Sequence, residues 1–128
     1  EGVQIGTRFA LTEESSASPV FKDYCLSLGE GDTKLLLKKL APTRLVKNAF
    51  REAVEKAEDS GATSEELRTL LGRGRAKKGI FEGDLEEGEL EIGQVSAIIS
   101  RQQSVAEVMN ELVESYRQAA GKDYLFSM

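Results

Sequence analysis

The residues with the clearest chemical potential stand at the start of the chain, where a short apolar run meets Gly6 and Thr7. Glycine lets the backbone approach an anion closely, and the threonine hydroxyl adds a hydrogen-bond donor. A strand that ends in this way, with a helix after it, presents backbone N–H groups to a phosphate. An ordinary strand ending in a tight turn has the same pattern, because a single glycine motif is a weak signal.

The chain contains no histidine and only one cysteine. The lack of imidazole excludes, within this chain, a histidine general base, a histidine-containing metal site and a Ser-His-Asp triad. One cysteine cannot form an internal disulfide. Because Cys25 is at helical spacing from Phe21 and Leu28, we predict a small core residue rather than a reactive thiol. We therefore assign no catalytic residue and no metal ligand within the chain.

Composition and charge narrow the class of protein. A hydrophobic fraction of 40% and a charged fraction of 30% indicate a folded domain rather than a disordered tail. The formal charge of −5 argues against nucleic acid as a partner. No apolar run approaches the roughly 20 residues needed to cross a bilayer, and the first residues do not form a signal peptide. These features predict a cytoplasmic protein without a membrane segment.

Apolar residues at helical spacing, bounded by capping residues, predict helices at 18–28, 49–60, 64–71, about 89–100 and 104–120. Two of these helices begin with a capping box, formed by Thr63 with Glu66 and by Ser104 with Glu107. The last helix carries the most regular apolar stripe of the chain, from Val105 to Tyr116. We expect Gly121 to end it.

The segment between 32 and 47 is less regular. Pro42 interrupts it, and we predict two short strands on either side, although Leu35-Leu36-Leu37 would suit a helix equally well. The glycines and cations at 72–79 predict a flexible loop. The fold class is mostly α with a small β component, that is, α+β.

Three segments resemble a known family in order and spacing: Gly2-Val-Gln-Ile-Gly-Thr-Arg-Phe9, Arg44-Leu-Val-Lys-Asn48 and Gly83-Asp-Leu-Glu-Glu-Gly-Glu-Leu-Glu-Ile-Gly-Gln-Val95. The family is nitronate monooxygenase, formerly 2-nitropropane dioxygenase, and it includes the flavin-dependent enoyl-acyl-carrier-protein reductases. The resemblance extends from Gly2 to about Ala120 and implies an FMN-binding α/β TIM barrel with a lid domain. A complete barrel takes about 250 residues. We therefore expect this chain to be a C-terminal fragment whose opening segment is the last barrel strand.

The resemblance implies a division of the chain and one edge of a cofactor site. The expected parts are the last barrel strand and following helix (1–30), a lid or small helical subdomain with a short strand pair (31–88), closing helices (89–120) and a C-terminal tail (121–128). The FMN phosphate edge is carried over onto Gln4, Ile5, Gly6 and Thr7. NAD(P)H is a second candidate cofactor in the parent protein. Catalytic residues are expected outside the chain.

Two oppositely charged stretches follow the predicted helices at 49–60 and 64–71. The basic stretch comprises Arg73, Arg75, Lys77 and Lys78. It indicates a solvated lid surface, with contact to the phosphates of NAD(P)H or an acyl carrier as the alternative. The acidic stretch comprises Asp84, Glu86, Glu87, Glu89 and Glu91, and we predict solvated carboxylates rather than an acid/base pair. Gly93-Gln94 could approach a flavin or the barrel strands, or serve helix packing.

The resemblance predicts the C-terminal part of an FMN-dependent oxidoreductase that oxidises nitronates or transfers electrons from NAD(P)H, its substrate a small molecule. The fragment alone is expected to be inactive and to bind FMN weakly. The alternatives are an enoyl-acyl-carrier-protein reductase fragment and a non-enzymatic helical interaction module. We also expect self-association into a homo-oligomer, because an excised strand exposes apolar residues and unpaired backbone groups.

Overall fold

The computed structural model describes residues 2–126, with side chains described as far as Gly121. About half of it is helical and it contains a small two-stranded sheet, which agrees with the predicted combination of helices and a small β component. The elements in chain order are α1 (Thr7–Ala10), α2 (Pro19–Leu26), β1 (Thr33–Leu36), β2 (Thr43–Val46), α3 (Ala49–Asp59), α4 (Ser64–Leu71), a π-helical turn (Lys77–Phe81), a 3-10 helix (Gln94–Ile98) and α5 (Val105–Phe126).

The opening segment does not form the predicted strand. Residues 2–6 have no regular secondary structure, and Thr7–Ala10 form the short helix α1. A strand exists only where a neighbouring strand accepts and donates its backbone hydrogen bonds. Within residues 2–126, no segment offers the opening residues that pairing. Residues 2–9 therefore form no strand in this chain, and the assignment of the segment to the last strand of a longer barrel stays a prediction.

The two short strands are confirmed, and they pair antiparallel with Thr33 opposite Val46 and Leu36 opposite Thr43. A third extended segment runs beside β2. There Val46 N–H donates to Leu90 O at 2.9 Å, and Leu45 forms an isolated bridge with Glu91. The predicted helix at 89–100 is consequently wrong over its first half, because these residues pair with β2. Only the short 3-10 helix remains of it.

The segment from β1 to α4, residues 33–71, forms what we call the closed region. Helices α3 and α4 begin where the capping signals predicted: the Asn48 side chain accepts from Arg51 N–H, and Thr63 with Glu66 forms a complete capping box. Phe50, Val54 and Leu67 are buried, and they form one core cluster with Leu36, Leu37 and Leu45. The closed region therefore buries its own apolar residues.

Helix α2 anchors a second core. Its Ser18 cap accepts from Phe21 N–H, and Phe21 and Cys25 are almost fully buried, as predicted for a core cysteine. Burial raises the pKa of the Cys25 thiol to about 12, so it stays protonated and unreactive near neutrality. Lys22 is also buried, an arrangement the apolar spacing did not reveal. Its ammonium donates to Thr12 O at 2.8 Å and to Glu13 O at 3.1 Å.

Gly79 and Gly88 allow the π-helical turn to pack closely against the acidic stretch. A Cβ on Gly88 would lie 2.2 Å from the Gly79 Cα and 2.4 Å from the Asp84 carbonyl oxygen. Neither atom can move without moving the backbone, so no larger residue fits. The segment predicted as a flexible loop is thus an ordered turn held by close backbone contact.

Helix α5 begins with its predicted capping box, because Glu107 N–H donates to Ser104 Oγ and Ser104 N–H to a Glu107 carboxylate oxygen. It continues past Gly121 to Phe126, so the predicted end and the tail at 121–128 are wrong at least as far as Phe126. Residues 127 and 128 lie outside the described part. No helix in the described part is both long and apolar enough to cross a membrane.

Candidate functional site

Gly6 and Thr7 lie at the start of α1 with free backbone donors. Gly6 O accepts from Phe9 N–H at 3.1 Å and from Ala10 N–H at 3.0 Å. Among the residues described, neither Thr7 N–H nor Arg8 N–H has a hydrogen-bond acceptor. A Cβ added to Gly6 would meet no atom within 4 Å. Gly6 itself is exposed, so the start of α1 lies at the surface.

The Thr7 side chain is held by a segment far along the chain. Gly93 N–H donates to Thr7 Oγ1 at 2.9 Å, a contact between residues 86 positions apart. A Cβ on Gly93 would approach that oxygen to 2.5 Å, so the contact requires glycine. Because the hydroxyl oxygen accepts from Gly93, its own proton remains available for a further acceptor. Gly93 therefore holds Thr7 in place, a role that the sequence did not predict for Gly93-Gln94.

Charged side chains attach α1 to the end of the fold that carries α5. The Arg8 guanidinium donates to Gln103 Oε1 and to a Glu111 carboxylate oxygen at 2.7 Å. The Glu14 carboxylate in turn accepts from Val105 N–H at 2.9 Å. These contacts hold α1 and the residues that follow it against the first half of α5.

Thr7 lines an open cleft of about 430 Å³ between α1 and the extended segment beside β2. Its charged lining residues are Arg44 and Glu91, and Gly93 closes one side. Arg44 also donates to the Thr33 carbonyl oxygen at 3.4 Å. The Arg44 cation and the Thr7 hydroxyl suit a phosphate group, whereas the Glu91 carboxylate in the same lining opposes one.

The four predicted phosphate residues do not share one surface. Thr7 lines the cleft, whereas Gln4 and Ile5 line a separate apolar groove of about 950 Å³ beside α5. Gly6 lies between the two. The structure thus brings Gly6 and Thr7 together with Gly93, a residue outside the four predicted phosphate residues.

The basic stretch is largely neutralised within the chain. Lys77 lies 3.6 Å from a Glu82 carboxylate oxygen and Lys78 lies 3.0 Å from an Asp84 oxygen. The Arg75 guanidinium donates to Leu71 O at 2.8 Å and stacks over the Phe50 ring at 4.4 Å from its centroid. These cations hold α4 and the acidic stretch together, which favours the lid-surface interpretation over phosphate binding.

One carboxylate of the acidic stretch differs from the prediction. Glu89 is 8% exposed, and burial together with neighbouring Glu91 raises its pKa to about 7. Arg75 acts in the opposite direction and does not offset these effects. The expectation of solvated carboxylates with ordinary pKa values is therefore wrong for Glu89. Gly88, Glu89 and Leu90 are consecutive buried residues, so alternation along the extended segment gave no signal for Glu89, and its burial follows from tertiary packing.

Comparison with known proteins identifies relatives along almost all of the chain. A family model described as nitronate monooxygenase matches residues 1–115. A probable nitronate monooxygenase from Bacillus subtilis (strain 168) is 30% identical over 115 residues, which is 89% of this chain and 33% of that protein. The chain therefore spans about a third of the length of this relative.

Two solved structures share the fold. FabK from Thermotoga maritima superimposes with a TM-score of 0.80 at 27% identity, covering 98% of this chain and 40% of the FabK chain. A point mutant of the same FabK gives a TM-score of 0.78 at 25% identity, covering 98% of this chain and 37% of that one. Together with the family match over residues 1–115, this agreement shows that the chain belongs to the nitronate monooxygenase family.

Proposed function

We propose that this chain supplies one edge of the FMN phosphate site in an oxidoreductase of the nitronate monooxygenase type. The observation that carries the proposal is the start of α1, where the N–H groups of Thr7 and Arg8 have no acceptor among the described residues and the Thr7 hydroxyl lies next to exposed Gly6. Such donors suit a phosphate dianion. Gln4 and Ile5 would lead the chain into this turn without contacting the phosphate through their side chains.

Bound FMN would act as the electron acceptor for oxidation of a small nitronate, and this chain would hold the FMN phosphate. The Thr7 hydroxyl would donate to a phosphate oxygen while its own oxygen accepts from Gly93 N–H. Arg44 would contribute positive charge from the far side of the cleft. The chain contains no histidine, so an imidazole base would come from the remainder of the protein.

We further infer that residues 2–6 form the last strand of an α/β TIM barrel when the remaining two thirds of the family fold are present. Unpaired backbone in this apolar segment and the length of the relatives support this inference. Enoyl reduction is the alternative reaction within the same family. The ion pairs of Lys77 and Lys78 provide no support for NAD(P)H binding at the basic stretch.

A comparison of FMN with riboflavin tests the phosphate edge. In a chimera of the Bacillus subtilis relative that carries this chain in place of its matching segment, Thr7→Val should weaken FMN binding by about tenfold. Riboflavin, which lacks the phosphate, should bind both forms equally. Thr69→Val, on the exposed face of α4, is the matched control. Equal effects of Thr7→Val on FMN and riboflavin would show that Thr7 does not contact the phosphate.

The isolated chain should bind FMN weakly, because one edge of a phosphate site provides few donors and no ring pocket. Fluorescence titration measures this directly. Stoichiometric binding at low micromolar FMN would mean that these residues already form a complete site, contrary to the proposal.

A further inference from the structure

An acidic residue lines the same cleft in which we place the FMN phosphate. Glu91 shares this lining with Thr7 and Arg44. A carboxylate and a phosphate in one cleft repel each other, because both are negatively charged. The ion pairs of the described residues include none formed by Glu91. Binding of a phosphate therefore requires another means of reducing the negative charge at Glu91.

Arg44 does not neutralise Glu91, although both residues line the cleft. The Arg44 guanidinium donates to the Thr33 hydroxyl at 3.3 Å and to the Thr33 carbonyl oxygen at 3.4 Å. Within the part of the chain that the structure describes, Arg44 also forms no ion pair. Uptake of a proton is the other means by which a carboxylate loses its charge.

A neighbouring carboxyl group provides a place for that proton. Glu89 and Glu91 are two residues apart in the extended segment beside β2, and their side chains share a hydrogen bond. Because an ionised carboxylate only accepts hydrogen bonds, this contact requires a proton on one of the two groups. Glu89 is buried, whereas Glu91 is exposed and lines the cleft. The pair therefore connects a buried carboxyl group with the cleft.

The backbone holds the Glu89–Glu91 pair in place, and its charge can change near neutral pH. Glu89 N–H donates to Arg75 O at 3.1 Å. Glu91 forms the bridge with Leu45 of β2. Burial and the charge of Glu91 raise the pKa of Glu89 to about 7, and Arg75 is the charged group that acts to lower it. Near neutrality, the pair is consequently close to the pH at which it changes from one negative charge to two.

We propose that the Glu89–Glu91 pair takes up one proton when the FMN phosphate binds in the cleft. The proton comes from the solvent, forms an O–H bond with one carboxylate and is shared through the hydrogen bond between them. The pair then carries one negative charge instead of two. Because binding and protonation are linked, the affinity for the phosphate falls as the pH rises above about 7. This inference rests on the proposed function, since it places the phosphate in this cleft.

Calorimetry in two buffers measures the proton directly. In the flavin-free chimera at about pH 7.5, the heats of FMN binding in buffers of different ionisation enthalpy should indicate an uptake of roughly 0.5 proton or more per FMN. The phosphate loses its own second proton at about pH 6 and therefore contributes little here. Riboflavin, which lacks the phosphate, should take up none. The ratio of FMN affinity to riboflavin affinity should fall roughly fivefold or more between about pH 7 and pH 8.5.

Amide substitutions test which groups carry the proton. In Glu89→Gln, the side chain still donates to Glu91 but does not titrate, so the uptake should be lost and the affinity ratio should no longer depend on pH. Glu86→Gln makes the same change at an exposed position of the acidic stretch and should keep the wild-type uptake. Glu91→Gln removes the charge beside the phosphate and should abolish most of the uptake. It replaces Glu89→Gln as the test if that variant does not fold.

The isolated chain and inorganic phosphate provide a second measurement. At phosphate concentrations that saturate the change in the Thr7 amide resonance, the midpoint of the Glu89 titration should rise by about half a pH unit or more. The carbon-13 resonance of the Glu89 carboxyl group reports this midpoint, and sodium chloride at the same ionic strength is the control. A midpoint that stays unchanged under these conditions would contradict the proposal.

Three calorimetric results would also overturn the proton uptake: heats that do not depend on the buffer, equal uptake with riboflavin, or uptake that persists in Glu89→Gln and Glu91→Gln. If Thr7→Val still weakens the binding of FMN alone, such a result leaves the phosphate edge intact. If Thr7→Val affects FMN and riboflavin equally, the phosphate edge itself is wrong. The two failures are therefore distinguishable.

Discussion

The closed region and the open face solve the burial of apolar residues in opposite ways. The open face comprises the exposed apolar residues of the opening segment, the 3-10 helix and α5, namely Val3, Val95, Ile98, Met109, Val113 and Tyr116. In the closed region, the strand pair covers α3 and α4, so Phe50, Val54 and Leu67 are almost fully removed from water. On the open face, Tyr116 of α5 is 74% exposed although its helix carries the most regular apolar stripe of the chain. The comparison teaches that a regular stripe predicts a need for burial and not a partner within the same segment.

Side-chain truncation in the two regions should give the largest contrast. Phe50→Ala should lower the free energy of unfolding by about 3–5 kcal/mol, because it leaves a cavity and removes the ring beneath Arg75. Tyr116→Ala should change it by less than about 0.5 kcal/mol in the isolated chain. Urea unfolding of both variants measures the difference. Similar losses would show that Tyr116 is covered in solution and that the two regions are alike.

Gly93→Ala tests the contact that holds the opening segment beside the open face. Its Cβ would lie 2.5 Å from Thr7 Oγ1, so we expect a loss of about 1–3 kcal/mol in unfolding free energy. Thr7→Ala removes that oxygen, so the double variant should recover most of the unfolding free energy that Gly93→Ala alone loses. If the loss persists with Thr7→Ala, the strain arises elsewhere and Thr7 is not fixed by Gly93.

Glu89 adds a pH dependence at the edge of the closed region. Its folded pKa of about 7 lies above the ordinary value of 4.5. The folded state therefore binds the proton more tightly than the unfolded state, and this stabilisation is complete below about pH 4.5 and is lost as the pH rises through about 7. Glu89→Gln removes the titration, so its stability relative to the wild type should increase on going from pH 5 to pH 8.

Denaturant unfolding at several pH values measures this difference, which we expect to be of the order of 1 kcal/mol. Glu86→Gln makes the same chemical change at an exposed position of the acidic stretch and serves as the control. A constant difference between Glu89→Gln and the wild type across this range would mean that Glu89 is solvated.

The smallest effect concerns the end of α5, beyond the open face. Gly121→Ala places a methyl group in open space within a helix and should stabilise the chain by about 0.5–1 kcal/mol. Gly61→Ala, at the end of α3, should destabilise it, because Gly61 has a φ of +78°. Circular dichroism during thermal melting measures the change in thermal midpoint for both variants. No gain from Gly121→Ala would mean that α5 ends earlier in solution.

Local signals in the sequence predicted the closed region well. Asn48, Thr63 and Glu66 act on backbone groups within four residues, so the starts of α3 and α4 follow from neighbouring residues alone. The buried Cys25 was predicted from its helical spacing, and the strand pair from the interruption at Pro42, with a helix left open for Leu35-Leu36-Leu37. The family was also predicted, from three segments in the correct order.

Segments that depend on distant contacts were predicted poorly. Residues 89–92 resemble the start of a helix, but their hydrogen bonds to β2, more than 40 residues earlier, make them extended. The opening segment has the composition of a strand, yet no strand forms in the described chain without neighbours. In both cases, the secondary structure depends on which partner is within reach.

The sequence by itself determined the caps, the helical stripes, the absence of histidine and the family, because each depends only on residue identity and short-range spacing. Only the tertiary structure showed that Gly93 holds Thr7 across 86 positions and that Glu89 is buried beside Glu91. It also showed that the stripe of α5 remains uncovered. The physical reason is that backbone capping acts within a few residues, whereas burial, close backbone contact and shifted pKa values depend on segments that meet only after folding.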